Sequence, residues 1–356
     1  MISSFDHRTL GQRVLFGSGS ARANIADASA GASRVMVVSS ERDARLAAVL
    51  TADSAVVRRW TEVAQHVPTE LADRARDAAA ADDIDLIVSV GGGSATGLAK
   101  AIAMTTRVPI LAVPTTYAGS EATNVWGLTA DSRKTTGVDD GVLPSTVVYD
   151  AELFLRLPRA LSIASGLNAV AHGIDALWAP GADPLNATLA SEAIRLLAAG
   201  LRTISADPAS LAGREQTLMG AYLAAVSFTS AGSGLHHKIC HVLGGAYGLA
   251  HAQTHAVLLP HVTAFNASAA PGAGARIAEA LDSRTAVRGL EDLYTELDAP
   301  RSLRDIGFNE SDIPEAARLI IPTVPASNPR RVDTAAIETI LRAAWAGTPI
   351  REYEQE

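Results

Sequence analysis

The chain is poor in several things, and each shortage removes a class of function. It has one cysteine, Cys240, so no internal disulfide framework is possible and a reducing compartment is expected. It has no uncharged apolar run of 18 residues, and its first twenty residues carry charges where a signal peptide needs an apolar centre, so neither a membrane span nor secretion is expected. It has no basic run and a formal charge of −8, which argues against nucleic-acid binding. These absences predict a cytoplasmic protein that handles small molecules. Lysine is scarce too: against many arginines there are Lys100, Lys134 and Lys238 only. A lysine in such a chain marks places where a compact point charge is wanted.

What is present is an apolar content of 48% in 356 residues, enough for two domains with cores of their own. The first part alternates strand and helix patterns. Residues 34–38 and 84–90 read as strands, 69–81 as a helix, 95–104 as a helix and 109–114 as a further strand. Alternation of this kind predicts a parallel α/β sheet. Beyond about residue 155 the pattern becomes Ala/Leu helical periodicity. The expected division is an α/β dinucleotide-binding domain of Rossmann-like parallel type over 1–157 and an all-helical domain over 158–356, with a cleft between them.

The strand at 84–90 runs into Gly91-Gly92-Gly93-Ser94 and then a helix. Glycines let a ligand approach the backbone, and the helix N-terminus offers free N–H groups and a positive dipole end to a pyrophosphate. After the next strand comes Pro114-Thr115-Thr116-Tyr117-Ala118-Gly119-Ser120-Glu121. Thr115, Thr116 and Ser120 fit ribose, phosphate or carboxamide contacts at the carboxyl ends of the strands. The strand at 35–38 ends in Ser39-Ser40-Glu41-Arg42, where hydroxyls precede the acid and an arginine follows. Ser39 therefore joins the cofactor candidates, and either NADH or NADPH is accommodated.

Six of nine histidines lie between 172 and 255. Asn168 and His172 are i,i+4 in Ser165–His172, and so are His237 and His241 in Gly234–Gly245, so each pair shares a helical face. His251 and His255 follow. The spacing alone leaves two readings open: a metal cage, or imidazoles acting as proton donors and electrophiles.

Taken together, Arg13–Gly17, GGGSATGLAKAIA, PTTYAGSEATNVWGLT, GLHHKICHVLGGAYGLAHAQTHAVLLPH and Asn328-Pro329-Arg330 resemble the iron-containing (group III) alcohol dehydrogenase family over nearly the whole chain. Within it they resemble the branch that reduces the alkene of maleylacetate to give 3-oxoadipate in the breakdown of aromatic compounds. The resemblance implies an NADH- or NADPH-dependent oxidoreductase. It also implies that metal-dependent members bind their ion through one Asp and three His, matched here by Asn168, His172, His237 and His251. With Asn168 the set loses its anion, and no required metal is expected. Gly97 likewise stands where the alcohol dehydrogenases have Asp.

The resemblance implies catalytic work for His241, His172, His237 and His251, with His241 nearest the reacting atoms and the others as donors. Lys134 becomes a cofactor candidate through the family pattern. Tyr117, Asn168, Lys238 and Arg330 are expected to meet the dicarboxylate substrate, Arg330 through its bidentate fork. Lys100 is expected to be structural and Cys240 a packed thiol. A homodimer is the default expectation. Three alternatives remain: a metal-dependent alcohol or polyol dehydrogenase; a lyase resembling dehydroquinate synthase, which recycles its NAD; and a catalytically dead nucleotide-binding protein.

Overall fold

The computed structural model describes residues 4–130 and 133–350, with the backbone alone for Arg133 and Lys134. Two compact units are formed: Leu10–Leu157, and Pro158 onwards together with the segment up to Thr9.

In the first unit a six-stranded parallel sheet runs β1-β8-β5-β4-β2-β3. Its strands are β1 (Arg13–Phe16), β2 (Val35–Ser39), β3 (Val56–Trp60), β4 (Leu86–Gly91), β5 (Ile110–Pro114) and β8 (Thr146–Tyr149). Strands β6 (Val125–Ala130) and β7 (Arg133–Val138) make a separate antiparallel pair. The central strands β2, β4 and β5 are buried at every residue, as a sheet covered on both faces requires. Alternation sends side chains to two different layers. Met36, Val38 and Ile87 pack with α3 (Thr69–Ala81) and α4 (Gly93–Thr106). Val35, Val37, Val88 and Val90 pack with α1 (Ala21–Ser29) and α2 (Ala44–Leu50).

Strands β2 and β4 are hydrogen-bonded neighbours, with Ser39 level with Val90. After β2 the chain moves outward to β3, and after β4 it moves the other way to β5. The topological switch point therefore opens between the carboxyl ends of β2 and β4, where open α/β sheets bind ligands.

The described residues of the second unit carry helices and no strand. They are α5 (Arg159–Ala176), α6 (Pro184–Ala206), α7 (Leu211–Ala231), α8 (Leu235–Tyr247), α9 (His251–Ala267), α10 (Pro271–Ala280), α11 (Ala286–Leu297), α12 (Ile313–Ile320) and α13 (Thr334–Ala346). Helix α5 is buried without interruption from Ser162 to Ala176 and packs on α6, α7 and α9. A second core joins α8 and α9 to α12 and α13 through Leu235, Ile239, Leu258, Ile313 and Ile340. No single described helix is long and apolar enough to cross a membrane.

The sheet unit expected over 1–157 thus begins at Leu10. The residues before it belong with the helices because His7 Nδ1 lies 2.8 Å from Asp183 Oδ2 and 3.3 Å from Ser230 Oγ. The composition of the N-terminus gave no sign of this tie.

Candidate active site

In the sheet unit the glycine run is a strand-to-helix turn. Gly91 ends β4 with φ of +151°, a backbone value that side chains rarely tolerate. Gly92 is the extended N-cap of α4, so Gly93 and Ser94 form its first turn with unpaired N–H groups. The hydroxyl loop closes on the same place. Thr115 donates its N–H to the Gly91 carbonyl at 3.0 Å. A Cβ on Gly92 would lie 3.0 Å from Thr116 Cγ2, and one on Gly93 would lie 3.1 Å from the Ala118 Cβ. Gly91, Gly92, Gly93, Ser94, Thr115 and Thr116 are therefore brought together, beside the end of β2 where Ser39 is buried.

The next part of that loop is fixed from beneath. Lys100 is fully buried, and its ammonium donates to Thr123 Oγ1 at 2.9 Å and the Val125 carbonyl at 2.8 Å. Burial pulls its pKa down to about 7, against the favourable charge of Glu121. Tyr149 donates its hydroxyl to Glu121 Oε1 at 2.8 Å, and Gln12 donates to the Glu121 carbonyl at 2.8 Å. Lys100 is thus a structural tie, and Ser120 sits on the short 3-10 turn (Ser120–Ala122) that it helps hold. Tyr117 is placed otherwise than expected for a substrate contact: it is fully buried, with its ring stacked on Phe154 at 4.9 Å. The side chain of Lys134 lies outside the described residues; its backbone pairs with Thr129 in the β6–β7 ladder.

In the helical unit the histidines converge. Helix α5 presents Asn168, His172 and Asp175, spaced i, i+4 and i+7, all buried. Helix α8 brings His236, His237 and His241, and α9 brings His251 and His255. Gly248, in the left-handed conformation, ends α8 two residues before the N-cap of α9. The connection is short, so the two histidine-bearing helices pack as neighbours. His172 stacks on His237 with centroids 4.9 Å apart, and Phe228 from α7 covers both at 4.9 and 4.3 Å. His255 lies 4.8 Å from His237 and 4.3 Å from His251, centroid to centroid. His241, half-buried one turn after His237, stands edge-on to it at 6.1 Å.

Four of these imidazoles, His172, His236, His237 and His255, are buried and disfavour the charged form. Burial pushes His172 down to about 4 and His236 down to about 3, the latter with help from His172. His237 and His255 are likewise held well below the usual imidazole range by burial and by the other imidazoles. His236 Nε2 and His255 Nδ1 share a hydrogen bond of 2.9 Å, and Cys240 Sγ lies 3.6 Å from the same His236 nitrogen. The Cys240 thiol is raised by burial and packs in the core, as expected of an inert thiol.

Helix α9 contains Pro260, which leaves the Ala256 carbonyl without its helical N–H donor. Tyr294 of α11 fills the gap by donating its hydroxyl to Ala256. The half of α9 that carries His251 and His255 is thereby held by a partner outside the helix.

Lys238 is half-buried on α8, next to the cluster histidines. Arg330 is elsewhere. Its guanidinium lies 4.8 Å over the Phe265 ring, and Asn328 holds its carbonyl at 2.7 Å while bonding Asn266. Phe265 is fourteen residues along α9 from His251, about 20 Å at the helical rise, so Arg330 and the histidines stand at opposite ends of that helix.

Asn168, His172, His237 and His251 come from the helices expected, and three of them carry orphaned atoms that suit a metal. Asn168 Oδ1, His172 Nδ1 and His237 Nε2 are buried with no hydrogen-bond partner among the described residues. Asn168 brings no charge and imidazole ligates in its neutral form, so donors of these types suit an ion that accepts imidazole, such as zinc or iron(II), better than a hard oxygen-seeking one. The sequence reading assigned no role to His236, His255, Phe228 or Asp175. The i,i+4 step from His251 to His255 and the i+3 step from His172 to Asp175 were the available signals.

Two family models match the chain: "Iron-containing alcohol dehydrogenase" over residues 11–151, and the C-terminal model of the Fe-containing alcohol dehydrogenase family over residues 162–345. A maleylacetate reductase of Sphingobium indicum is 42% identical, with 97% of this chain and 98% of that protein aligned. Among solved structures, an iron-containing alcohol dehydrogenase of Corynebacterium glutamicum superposes with a TM-score of 0.95 at 54% identity, covering 97% of this chain and 98% of that one. The maleylacetate reductase of Agrobacterium tumefaciens gives 0.92 at 38% identity, covering 98% and 100%.

Proposed function

This chain belongs to the iron-containing alcohol dehydrogenase family, and from that premise we propose that it is a maleylacetate reductase using NADH or NADPH. It is an oxidoreductase; the substrate follows from its near full-length likeness to proteins of that name, the observation that carries the reading. Asn168, in place of a carboxylate, fits the same reading.

The nucleotide is proposed to lie at the switch point, with its pyrophosphate on the N-terminus of α4 and its sugars near Ser39, Thr115 and Thr116. Bound there, NAD(P)H would supply the hydride for the alkene carbon conjugated with the ketone. The electron pair moves to the ketone oxygen as an enolate, and a proton added to the neighbouring carbon restores the ketone. An enolate spreads its charge, so imidazole N–H donors held in place around it stabilise it well. His241 is the proposed proton donor. It is half-buried, so it can regain a proton from solvent, which the sealed histidines cannot. His172 and His251 are proposed to line the substrate, and Lys238 to meet one of its carboxylates. A metal ion, if bound, would be held by Asn168, His172, His237 and His251 and would supply Lewis-acid polarisation of the carbonyl.

The decisive experiment is NADH oxidation with freshly prepared maleylacetate, with and without a chelator. Turnover that survives chelation is expected. Turnover lost on chelation and restored by zinc or iron would favour the second reading, a metal-dependent alcohol dehydrogenase, which the 54% identity to a protein of that description supports. Asn168→Asp supplies a companion test. The variant should bind zinc more tightly than the parent in a calorimetric titration. Without metal it should melt lower, because it buries a charge among neutral groups.

A further inference from the structure

Beneath the histidines lies a carboxylate that no expectation included. Asp175 is fully buried on α5, one turn beyond His172. Its Oδ2 accepts the backbone N–H of Gly234 at 2.9 Å and of His237 at 3.3 Å, and lies 2.8 Å from His237 Nδ1. Its Oδ1 accepts the indole N–H of Trp178 at 3.2 Å. A Cβ on Gly234 would fall 2.3 Å from Asp175 Oδ1, so glycine there is what lets the carboxylate reach the start of α8.

An oxygen that already accepts two backbone N–H groups is committed as an acceptor. The third group on it, His237 Nδ1, must then bring the proton. A neutral imidazole has one ring proton, so Nε2 is left with a bare lone pair. That nitrogen is buried and has no hydrogen-bond partner among the described residues. A second proton there would be a buried donor with no acceptor among the described residues.

We infer that Asp175 is a positioning residue that fixes His237 as the Nδ1–H tautomer, so that His237 meets a bound molecule as an acceptor through Nε2 and not as a proton donor. This changes the role expected for His237 and leaves donation to His241, His172 and His251. A carboxylate behind an imidazole is also how metal-binding histidines are oriented, so the same lock would serve an ion at Nε2. The inference deepens the reading of this site as a reductase centre, and only its kinetic arm rests on that reading.

The test begins with the unaltered chain carrying 15N-labelled histidine. A long-range proton–nitrogen correlation spectrum at neutral pH reports which ring nitrogen is protonated, and His237 is assigned by the signals lost in His237→Gln. A proton on Nδ1 with a bare Nε2 is expected; a proton on Nε2 overturns the inference. The second arm compares Asp175→Asn with Asp175→Glu. Asn replaces one acceptor with a donor, so His237 should shift towards the Nε2–H form. With it kcat should fall roughly 10- to 100-fold while KM for NADH holds. Glu should restore the Nδ1–H signature in part. A folded Asp175→Asn chain with parental kcat and an unchanged His237 tautomer also overturns the proposal. Should that variant not fold, the spectrum of the parent still decides. The spectrum uses no substrate, so failure to reduce maleylacetate would count against the proposed function and leave the tautomer assignment standing.

Discussion

A histidine that packs and a histidine that reacts differ in what their removal costs, and His241 separates from its neighbours on that ground. It is half-buried, whereas His236, His237 and His255 are sealed. His241→Ala is therefore expected to melt close to the parent while kcat falls by roughly 10²–10⁴, the range for a lost general acid or oxyanion donor. NADH affinity should change little. Steady-state kinetics beside a melting curve check this; near-parental turnover in a stable variant would remove His241 from the chemistry. At this scale the sequence displayed pairs but not partners. The i,i+4 steps put Asn168 with His172 and His237 with His241 on shared faces, and the helices bear that out. The hydrogen bond between His236 and His255 joins residues nineteen apart, and that from His237 to Asp175 joins residues sixty-two apart. Contacts of that range depend on how α5, α8 and α9 pack, which helical spacing does not encode.

At the level of elements, two turns carry the weight. Gly92 faces Thr116, which a Cβ would crowd at 3.0 Å. Gly92→Val should raise the NADH dissociation constant about tenfold or more, and the melting point should fall modestly because Thr116 must move. Unchanged affinity, measured by fluorescence titration on a folded variant, would place the nucleotide elsewhere. The break at Pro260 is the other. Tyr294→Phe leaves the buried Ala256 carbonyl unpaired, which should cost about 1–3 kcal/mol in denaturant unfolding. The loss should appear as faster hydrogen exchange in the first half of α9. The glycine turn was legible because strand, turn and helix are contiguous in the chain. The Tyr294 contact was not, because a proline announces a gap in a helix without saying what fills it. Nor was the packing of Tyr117 on Phe154, since a tyrosine in a polar loop reads the same whether its ring faces inward or outward.

For the whole molecule, sealed neutral histidines set the response to acid. His236 and His261 are held down by burial to about 3 and about 4, and His255 is also lowered. Unfolded histidine takes up a proton near pH 6.5, and these sites refuse it until the pH is far lower. The unfolded chain thus binds more protons below about pH 6.5, and each such group removes up to about 1.4 kcal/mol per pH unit until its folded pKa is reached. Asp175, raised by burial to about 6, works the opposite way and offsets part of one histidine. Melting points taken between pH 7.5 and 5 should fall steeply with acid; a flat profile would mean the cluster is hydrated and already charged. The tie between His7 and Asp183 bears on how the chain can be divided. The segment up to Thr9 groups with the helices, the chain then builds the whole sheet, and it returns to the helical unit at Pro158. In genetic terms the sheet unit is an insert within a helical host. Residues 10–157 are thus the natural fragment to express alone, whereas a fragment starting at 158 lacks its own first piece, and a synthetic peptide of residues 1–9 should bind it and raise its melting point.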